Sequence, residues 1–395
     1  MRVMKVVSSF ATAAILAACA HGPGPSPLPG GPLAGFSARP SAGGFTSLYS
    51  FQVFPDASSP AAGMVALNGT LYGTTQVGGQ GDGGAVFATT TAGKERVLYS
   101  FGSKAPDGLL PAAGLIVLNA TLYGTTTSGG IGFGTVFKID KSGNEHVLYS
   151  FKGGADGDSP YAPLVAYKGA LYGTTLDGGG SNKCVRGCGT VFEITTAGKE
   201  HVVYAFKGGS DGIGPVAGLV AVGSTFYGTT AAGGKNGDGA IFKTSPSGSE
   251  KVIYSFKGSD DGGEPEAGLV ALGGALYGTT NAAGKNFAGT VFETSTSGAE
   301  RAIYSFKGGS DGANPEAPLI AVNAKLYGTT AAGGSSNQGT VFSVTTSGSE
   351  HAIHAFKASE GQDPRAPLTA LGAALYGTTS LGGNNGVGTI FKASP

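Results

Sequence analysis

The sequence predicts an all-β protein, a seven-bladed β-propeller with four strands in each blade. Two observations support this prediction: a set of motifs that recurs seven times after residue 45, and a phase offset between the first and the last repeat. Several short strands in a repeat of about 50 residues are typical of propeller blades, although solenoids use repeats of similar length. The alternative is therefore an open β-solenoid.

Three sequence blocks occur once in each repeat. Tyr-Gly-Thr-Thr recurs at a spacing of 49 to 55 residues and begins at Tyr72, Tyr123, Tyr172, Tyr227, Tyr277, Tyr327 and Tyr376. A block of the type Gly-Thr-Val-Phe ends at Phe87, Phe137, Phe192, Phe242, Phe292, Phe342 and Phe391. A block of the type Leu-Tyr-Ser-Phe ends at Phe51, Phe101, Phe151, Phe206, Phe256, Phe306 and Phe356.

Each repeat contains four short segments with the composition of β-strands. In the fifth repeat these are residues 268–272, 275–280, 289–295 and 300–306, which we call strands a, b, c and d. They are rich in Val, Ile, Thr, Tyr, Phe and Leu and are bounded by Gly, Ser or Asn. The tight a–b and c–d connections are typical of hairpin turns. No helical period is present after the leader, so we expect no helix there.

The phase of the repeats predicts how the ring closes. The folded region begins with a strand d block at residues 45–51 and ends after a strand c block at residues 388–391. The seventh repeat therefore lacks an outer strand, and the N-terminus has one to supply. An open solenoid would instead need atypical polar caps at its ends. We predict that the N-terminal strand completes the seventh blade.

Composition excludes several classes of protein. The chain has 73 Gly and only 13% charged residues among 395, and 25 basic residues balance 25 acidic ones. Without a basic face it has no electrostatic basis for binding nucleic acid. Its 40% hydrophobic content excludes disorder over the whole length. We expect a monomer that binds no nucleic acid.

The N-terminus has the pattern of a secretion signal. Arg2 and Lys5 precede an apolar stretch that is too short to span a bilayer. The stretch ends in Leu-Ala-Ala-Cys19, which resembles the lipobox of bacterial lipoproteins. That resemblance implies cleavage before Cys19 and its lipidation, which includes acylation by a fatty acid such as palmitate. The alternative is an ordinary signal peptide with an incidental Cys.

These features predict three segments: a signal peptide at residues 1–18, a lipidated Cys19 with a Pro/Gly-rich tether at 19–44, and a propeller at 45–395. The tether contains too little apolar surface to offset the entropy of ordering. Ala20 stands where an Asp would favour retention in the inner membrane. We therefore expect a protein anchored by lipid in the bacterial envelope, at the outer membrane or cell surface.

The repeated blocks resemble the GloVer tandem repeat of secreted bacterial proteins. The resemblance covers about residues 45–395, because Leu-Tyr-Gly-Thr-Thr and Gly-Thr-Val-Phe both recur nearly intact. It implies display outside the cytoplasm. It implies no activity, catalytic residue or cofactor that could be transferred to this chain.

The loops between strand d and the next strand a repeat Asp-Gly-x-x-Pro. The candidate Asp residues are Asp107, in a looser version of the motif, and Asp156, Asp211, Asp261 and Asp311. This is turn chemistry in the first place. It also forms a near-ring of carboxylates on the face where the Gly-rich b–c loops emerge, and such loops are common binding sites. A face that contacts a ligand or cation is the alternative, although the spacing falls short of a calcium loop.

The third repeat carries an insertion with Cys184 and Cys188. In an oxidising compartment two Cys this close are expected to form a local disulfide. No His or further Cys lies in that loop to complete a zinc site. Because the insertion makes one blade distinct, Lys183 and Arg186 are weak candidates for contacting a partner.

Strand d of six repeats begins with Glu followed by a basic or His residue. The Glu residues are Glu95, Glu145, Glu200, Glu250, Glu300 and Glu350. Charges on an exposed edge strand prevent edge-to-edge pairing, and we interpret these pairs in that way. His146, His201 and His351 lie in different repeats, too far apart to share a metal ion.

No unique cluster of nucleophile, His and carboxylate is evident, so the sequence predicts no catalytic residue, metal or cofactor. The favoured function is a non-enzymatic binding module for glycans or envelope partners. The alternatives are a lyase or hydrolase with its site on the loop-rich face, and a purely structural role. An active site would require unique polar residues at the channel mouth, whereas a scaffold would stay near-symmetric.

Overall fold

The computed structural model describes residues 44–104 and 106–395. Within these residues the strands form seven four-stranded antiparallel sheets arranged as the blades of a β-propeller. The predicted fold is therefore confirmed. The predicted signal peptide, lipidated Cys19 and tether up to residue 43 lie outside the described residues.

Each blade follows the order a, b, c, d. Blade 1 contains Val65–Leu67, Thr70–Thr75, Ala85–Thr90 and Glu95–Ser100, and blade 2 contains Ile116–Leu118, Thr121–Thr126, Thr135–Ile139 and Glu145–Ser150. Blade 3 contains Val165–Tyr167, Ala170–Thr175, Thr190–Thr195 and Glu200–Ala205, and blade 4 contains Val220–Val222, Thr225–Thr230, Ala240–Thr244 and Lys251–Ser255. Blade 5 contains Val270–Leu272, Ala275–Thr280, Thr290–Thr294 and Glu300–Ser305, and blade 6 contains Ile320–Val322, Lys325–Thr330, Thr340–Thr345 and Glu350–Ala355. Blade 7 contains Thr369–Leu371, Ala374–Thr379, Thr389–Ala393 and the N-terminal strand Phe45–Ser50.

The N-terminal strand closes the ring as predicted. Phe45–Ser50 pairs antiparallel with Thr389–Ala393, with Phe45 opposite Ala393 and Ser50 opposite Thr389. The two ends of the domain are thus held in one sheet. Apart from strands, two single 3-10 turns occur at Gly209–Asp211 and Gly309–Asp311, both in loops before strand a.

Aromatic side chains fill the space between blades. The Phe that follows strand d of one blade meets the Phe in strand c of the next edge to face, with ring centroids 5.0–5.2 Å apart at all seven junctions. Such aromatic pairs contribute more stabilising free energy than the burial of their apolar area alone. A Cβ on Gly73 would lie 2.5 Å from Phe87 of the same blade, which explains the Gly in Tyr-Gly-Thr-Thr.

The other residues of Tyr-Gly-Thr-Thr also connect the blades. Its Tyr is only 3–6% exposed at each of the seven positions, and Tyr72 of blade 1 packs in one core cluster with Leu122 and Phe137 of blade 2. The hydroxyl of its first Thr donates to a backbone carbonyl of the next blade at 2.8–3.4 Å, from Thr74 to Ala113 through to Thr378 and Ala62. Seven such hydrogen bonds link each blade to the next around the whole ring.

Candidate functional site

The d–a and b–c loops emerge on the same face of the ring, which we call the loop face. In blade 1, Ala57–Ser58 pairs with Val77–Gly78, and in blade 2, Gly108–Leu109 pairs with Ser128–Gly129. The other five blades form the same contact as a single bridge. In each blade, backbone pairing therefore joins the d–a loop to the b–c loop.

The residue before each loop Pro links two blades. In blade 5 it is Glu264, whose N–H donates to Asp238 of blade 4 and whose carbonyl accepts from Asn281 of blade 5. Its φ of 53° is left-handed, and the equivalent residue has a φ of 54–65° in the other blades. A left-handed non-Gly residue costs free energy and persists where its surroundings fix it. These seven loops thus form a rigid support.

The residue after each loop Pro lies at the mouth of the central channel. The hydroxyl of Tyr161 in blade 3 lies 3.5 Å from the amide nitrogen of Gln76 in blade 1, although these blades are not neighbours. Side chains of non-adjacent blades can meet only near the axis of the ring. The seven equivalent residues are Ala61, Ala112, Tyr161, Val216, Glu266, Glu316 and Arg365.

These seven positions break the symmetry of the ring. Blades 1, 2 and 4 carry small or apolar residues there, whereas blades 3, 5, 6 and 7 carry Tyr, Glu, Glu and Arg. Arg365 Nη1 lies 3.3 Å from Glu316 Oε2, and its Nε donates to Asp363 at 2.6 Å. Arg365 therefore already has two carboxylate partners, one in the neighbouring blade.

Glu266 lies in a different environment from Glu316. The side-chain amide of Asn281 donates to Glu266 at 3.3 Å, while Asn281 Oδ1 is buried and has no hydrogen-bond partner among the described residues. Burial, with Glu316 and Glu264 nearby, raises the pKa of Glu266 to about 8. Burial also raises the pKa of Glu316, although the Arg365 charge opposes this shift. We call Tyr161, Glu266, Asn281, Glu316 and Arg365 the mouth cluster.

The five Asp residues predicted as ligand contacts lie elsewhere, beside the outer strands. Each accepts a hydrogen bond from the Tyr hydroxyl of the preceding strand d and another from the loop backbone; for Asp107 the donors are Tyr99 at 3.1 Å and the N–H of Gly102 at 2.9 Å. The same arrangement holds for Asp156, Asp211, Asp261 and Asp311. Their carboxylates thus stabilise the loop, and a direct role in binding stays a prediction.

The interpretation of the strand d Glu residues as exposed edge charges is wrong. The basic or His residue beside each Glu is exposed, but Oε1 of all six Glu is buried and has no partner within the described part of the chain. Each Glu lies against the Tyr and Asp of the preceding blade, as Glu95 does against Tyr49 and Asp56. Alternation along one strand could not reveal this, because the contact is with residues of the neighbouring blade. We call each such group an outer Tyr–Asp–Glu cluster.

The seventh blade junction differs from the other six. His354 replaces Tyr, Glu360 replaces Asp, and Phe45 stands where the other blades have Glu. His354 Nε2 lies 3.1 Å from Glu360 Oε2, and its ring stacks on Phe45 with centroids 3.5 Å apart. Burial lowers the pKa of His354 despite the Glu360 charge. This junction is where the N-terminal strand closes the ring.

The insertion of the third repeat folds back onto its own blade. Cys184 and Cys188 form the predicted disulfide. Arg186 forms ion pairs with Asp158, whose side chain is 5% exposed, and with Asp177 at 3.3 Å. Lys183 lies beside Gly208 and Gly209 of the following loop. The guanidinium of Arg186 is thus already paired with two carboxylates of the same protein. Contact of Lys183 or Arg186 with a partner stays a prediction.

Exposed apolar side chains are confined to the loop face. Within residues 44–104 and 106–395, the large hydrophobic residues with high exposure are Val53, Phe54, Leu110, Ile131, Val185, Phe287 and Leu381. All seven lie in d–a or b–c loops, and none lies in the hairpins of the opposite face. They are distributed over several loops, so they enlarge the apolar area of the loop face without forming a demonstrated contiguous patch.

Two features are absent from the described residues. No group of three or more His, Cys, Asp or Glu side chains among them could hold a metal ion. Over the same residues, no helix is long and apolar enough to cross a membrane.

The sequence is similar to the model of a protein family described as the Gloeobacter/Verrucomicrobia repeat. Two overlapping matches cover residues 33–229 and 181–391. The chain belongs to this repeat family. Its membership confirms the resemblance that the seven repeated blocks predicted. No curated protein sequence matches the chain.

Several solved structures resemble this member of the repeat family. One is a proposed 6-phosphogluconolactonase from Bacteroides uniformis, with a TM-score of 0.50, 16% identity, and coverage of 76% of this chain and 87% of that one. Others are a proposed gluconolactonase (TM-score 0.45, 11% identity, 90% and 93% covered) and a luciferin-regenerating enzyme (TM-score 0.44, 10% identity, 86% and 92% covered). At these identities the likeness concerns the fold alone, and the activities in these names belong to those proteins.

The mouth cluster is not among the site residues predicted from the sequence. Its signal was present, because aligning the seven repeats on the loop Pro shows Ala, Ala, Tyr, Val, Glu, Glu and Arg at the next position. The Asp residues predicted as ligand contacts recur from repeat to repeat. The residues that meet at the axis are those that do not repeat.

Proposed function

We propose that this protein is an extracytoplasmic binding module, anchored to the bacterial envelope through lipidated Cys19, that holds a glycan or an envelope partner on its loop face. The observation that carries the proposal is the mouth cluster. Of seven positions that are equivalent by symmetry, four have diverged into the polar residues Tyr161, Glu266, Glu316 and Arg365, whereas the other three carry Ala or Val. A scaffold with no ligand gives no reason for this divergence.

The chemistry of the loop face suits a carbohydrate. Carboxylates, amides and a guanidinium offer acceptors and donors for hydroxyl groups, and small sites combine such groups with apolar walls. The exposed apolar side chains around the ring, among them Phe54 and Phe287, add contact area for a ligand longer than the mouth.

A hydrolase or lyase is the second candidate, and one observation favours it. Two carboxyl groups whose environments separate their pKa values can act as acid and base. Glu266, with its pKa raised to about 8, would hold the proton, and Glu316 beside Arg365 would accept one. This candidate uses the same mouth as the binding function.

A glycan array together with a glycosidase panel tests the proposal. The mature chain, residues 19–395, would carry Cys19→Ser so that it bears no lipid. We expect binding without product release, and at least tenfold weaker binding for Glu316→Gln. Glu293→Gln, the same change in strand c of blade 5, is the control and should bind normally. Binding that survives Glu316→Gln, or no bound glycan or envelope component at all, would contradict the proposal.

The anchor has its own test. Cys19→Ser should move the full-length protein from the detergent phase to the aqueous phase and abolish incorporation of labelled palmitate. Persistent partition into detergent would show that something other than Cys19 holds the protein to the membrane.

A further inference from the structure

We infer that the mouth cluster recognises a protonated amino group, so that the ligand is a glycan with unacetylated amino sugars. This inference rests on the proposed binding function and names the class of ligand. It depends on the surplus of hydrogen-bond acceptors at the mouth.

Among the described residues, the mouth holds more carboxyl groups than Arg365 can pair with. Glu264, Glu266, Glu316 and Asp363 are the carboxyl groups there, and Arg365 is the cation. Arg365 pairs with Glu316 and Asp363, at 3.3 and 2.6 Å. Glu264 and Glu266 form no ion pair with Lys or Arg in the described residues, although the Arg365 charge still acts on Glu266. A ligand with positive charge therefore complements the mouth, and an anionic sugar does not.

A second observation is independent of this charge balance. Asn281 uses its amide nitrogen to donate to Glu266, which leaves its Oδ1 as a buried acceptor without a donor. A buried acceptor without a partner costs about 1–3 kcal/mol. An ammonium group has three donors and no acceptor, so it can satisfy Asn281 Oδ1 and Glu266 together. Both Asn281 Oδ1 and the Glu266 carboxylate can accept hydrogen bonds from a ligand that carries donors.

Without a cationic ligand, the charge of the Glu266 carboxylate is neutralised by a proton. The pKa of Glu266 is raised to about 8 by burial and by Glu316 and Glu264, with Arg365 opposing them, so Glu266 is mostly protonated at neutral pH. An ammonium ligand favours the ionised carboxylate. Binding should therefore release the proton of Glu266 to solvent. A ligand recognised through hydroxyl groups alone would not require this release.

The test compares two sugars of equal length that differ only in acetylation. Fully deacetylated and fully acetylated chitotetraose would be titrated calorimetrically into residues 19–395 with Cys19→Ser, in two buffers of different ionisation enthalpy, at pH 5.5, where the sugar amino groups are already charged and take up little further proton on binding. We expect the deacetylated sugar to bind at least roughly tenfold more tightly, as for hydrogen bonds to charged groups. The buffer dependence should show release of close to one proton for each sugar bound.

Two variants separate the mouth from the rest of the surface. Glu266→Gln should lose the tenfold preference and the proton release while its melting temperature stays unchanged. Glu293→Gln, in strand c of the same blade, should keep both. If Glu266→Gln fails to fold, Asn281→Ala is the second variant and should reduce the preference.

The outcomes distinguish this inference from the proposed function. Equal binding of the two sugars, or a preference that survives Glu266→Gln, would overturn the inference while glycan binding stands. Binding of trilysine without binding of the deacetylated sugar would also overturn it, because the amino group would then come from a peptide. If neither sugar binds and the array finds no other glycan, the proposed glycan function fails as well.

Discussion

At the residue scale, six half-buried Glu side chains each have one buried oxygen without a hydrogen-bond partner among the described residues. Burial, with the neighbouring Asp, raises the pKa of Glu95 and its five counterparts to about 7. A buried carboxyl with an orphan oxygen beside a second carboxylate is more stable when it is protonated. The folded protein therefore binds protons that the unfolded chain releases above its ordinary pKa of 4.5.

Glu95→Gln tests this interpretation. The neutral amide resembles the protonated acid and can donate to Asp56, so the variant should be more stable than the parent at pH 8. We expect a gain of about 1–2 kcal/mol in the free energy of unfolding, discounted for partial exposure. At pH 5, where Glu95 is already protonated, the gain should largely disappear. Urea denaturation at both pH values measures it.

The exposed neighbour Arg96 provides the control. Arg96→Gln should change stability little at either pH, because its side chain is exposed. Equal effects of Glu95→Gln at pH 5 and pH 8 would show that Glu95 does not carry a proton in the folded protein.

At the element scale, strand positions could be predicted well. In the fifth repeat strand b was predicted as observed, and the others differ by one or two residues at an end. Alternation and turn residues carry this information because they are local. The contacts between blades are not local: the sequence shows that Thr229 repeats, but not that its hydroxyl reaches Ala267 of the next blade at 3.0 Å.

Removing one of these bonds should weaken the junction between two blades. Thr229→Val keeps the shape of the side chain but leaves the buried carbonyl of Ala267 without its donor. We expect a loss of about 1–3 kcal/mol, measured by urea denaturation. Thr225→Val, at the half-buried start of the same strand, is the matched control and should cost less. An equal loss in both variants would mean that β-propensity or packing, and not the bond, explains the effect.

The same reasoning explains the Asp-Gly-x-x-Pro loops. A Cβ on Gly262 would lie 2.2 Å from the hydroxyl oxygen of Thr280, so only Gly allows the loop to cross that strand. Asp261 accepts from the hydroxyl of Tyr254 at 2.7 Å and from the N–H of Lys257 at 3.1 Å. Turn chemistry could be predicted from the sequence. The position of each carboxylate, beside the outer strands and away from the mouth, could not.

At the scale of the whole molecule, the six outer Tyr–Asp–Glu clusters all change the stability of the fold with pH in the same direction. Because each Glu has a folded pKa of about 7, above its ordinary 4.5, its stabilising contribution is complete below 4.5 and is lost as the pH rises through 7. The domain should therefore melt at a lower temperature at pH 8 than at pH 5. Calorimetric scans at constant ionic strength check this, and a melting temperature that rises from pH 5 to pH 8 would contradict it.

The symmetry of the ring also explains what could be predicted about the site. Seven near-copies predict the architecture because every copy repeats the same strand and turn signals. A site at the axis depends on departures such as Tyr161 and Arg365, which look like ordinary variation until the fold brings them together. Closure of the ring could be predicted because it follows from order along the chain alone.

Ring closure gives the most direct test of the fold. Phe45 is 4% exposed and Phe51 is fully buried, and the strand between them pairs with Thr389–Ala393. Burying a large apolar side chain stabilises by about 1.5–3 kcal/mol, whereas a typical domain is stable by only about 5–15 kcal/mol. Deleting residues 20–51 should therefore lower the melting temperature strongly or cause aggregation through the exposed edge of blade 7.

Deleting residues 20–43 is the matched control, since it removes the segment before the strand and keeps Phe45. This variant should melt like the parent. Phe45→Ala gives an intermediate case: it keeps the backbone ladder but removes the ring that stacks on His354, and large core truncations of this kind cost about 3–5 kcal/mol. If both deletions melt alike, the N-terminal strand contributes nothing to the seventh blade, and the ring must be stable without the strand that the phase of the repeats assigns to it.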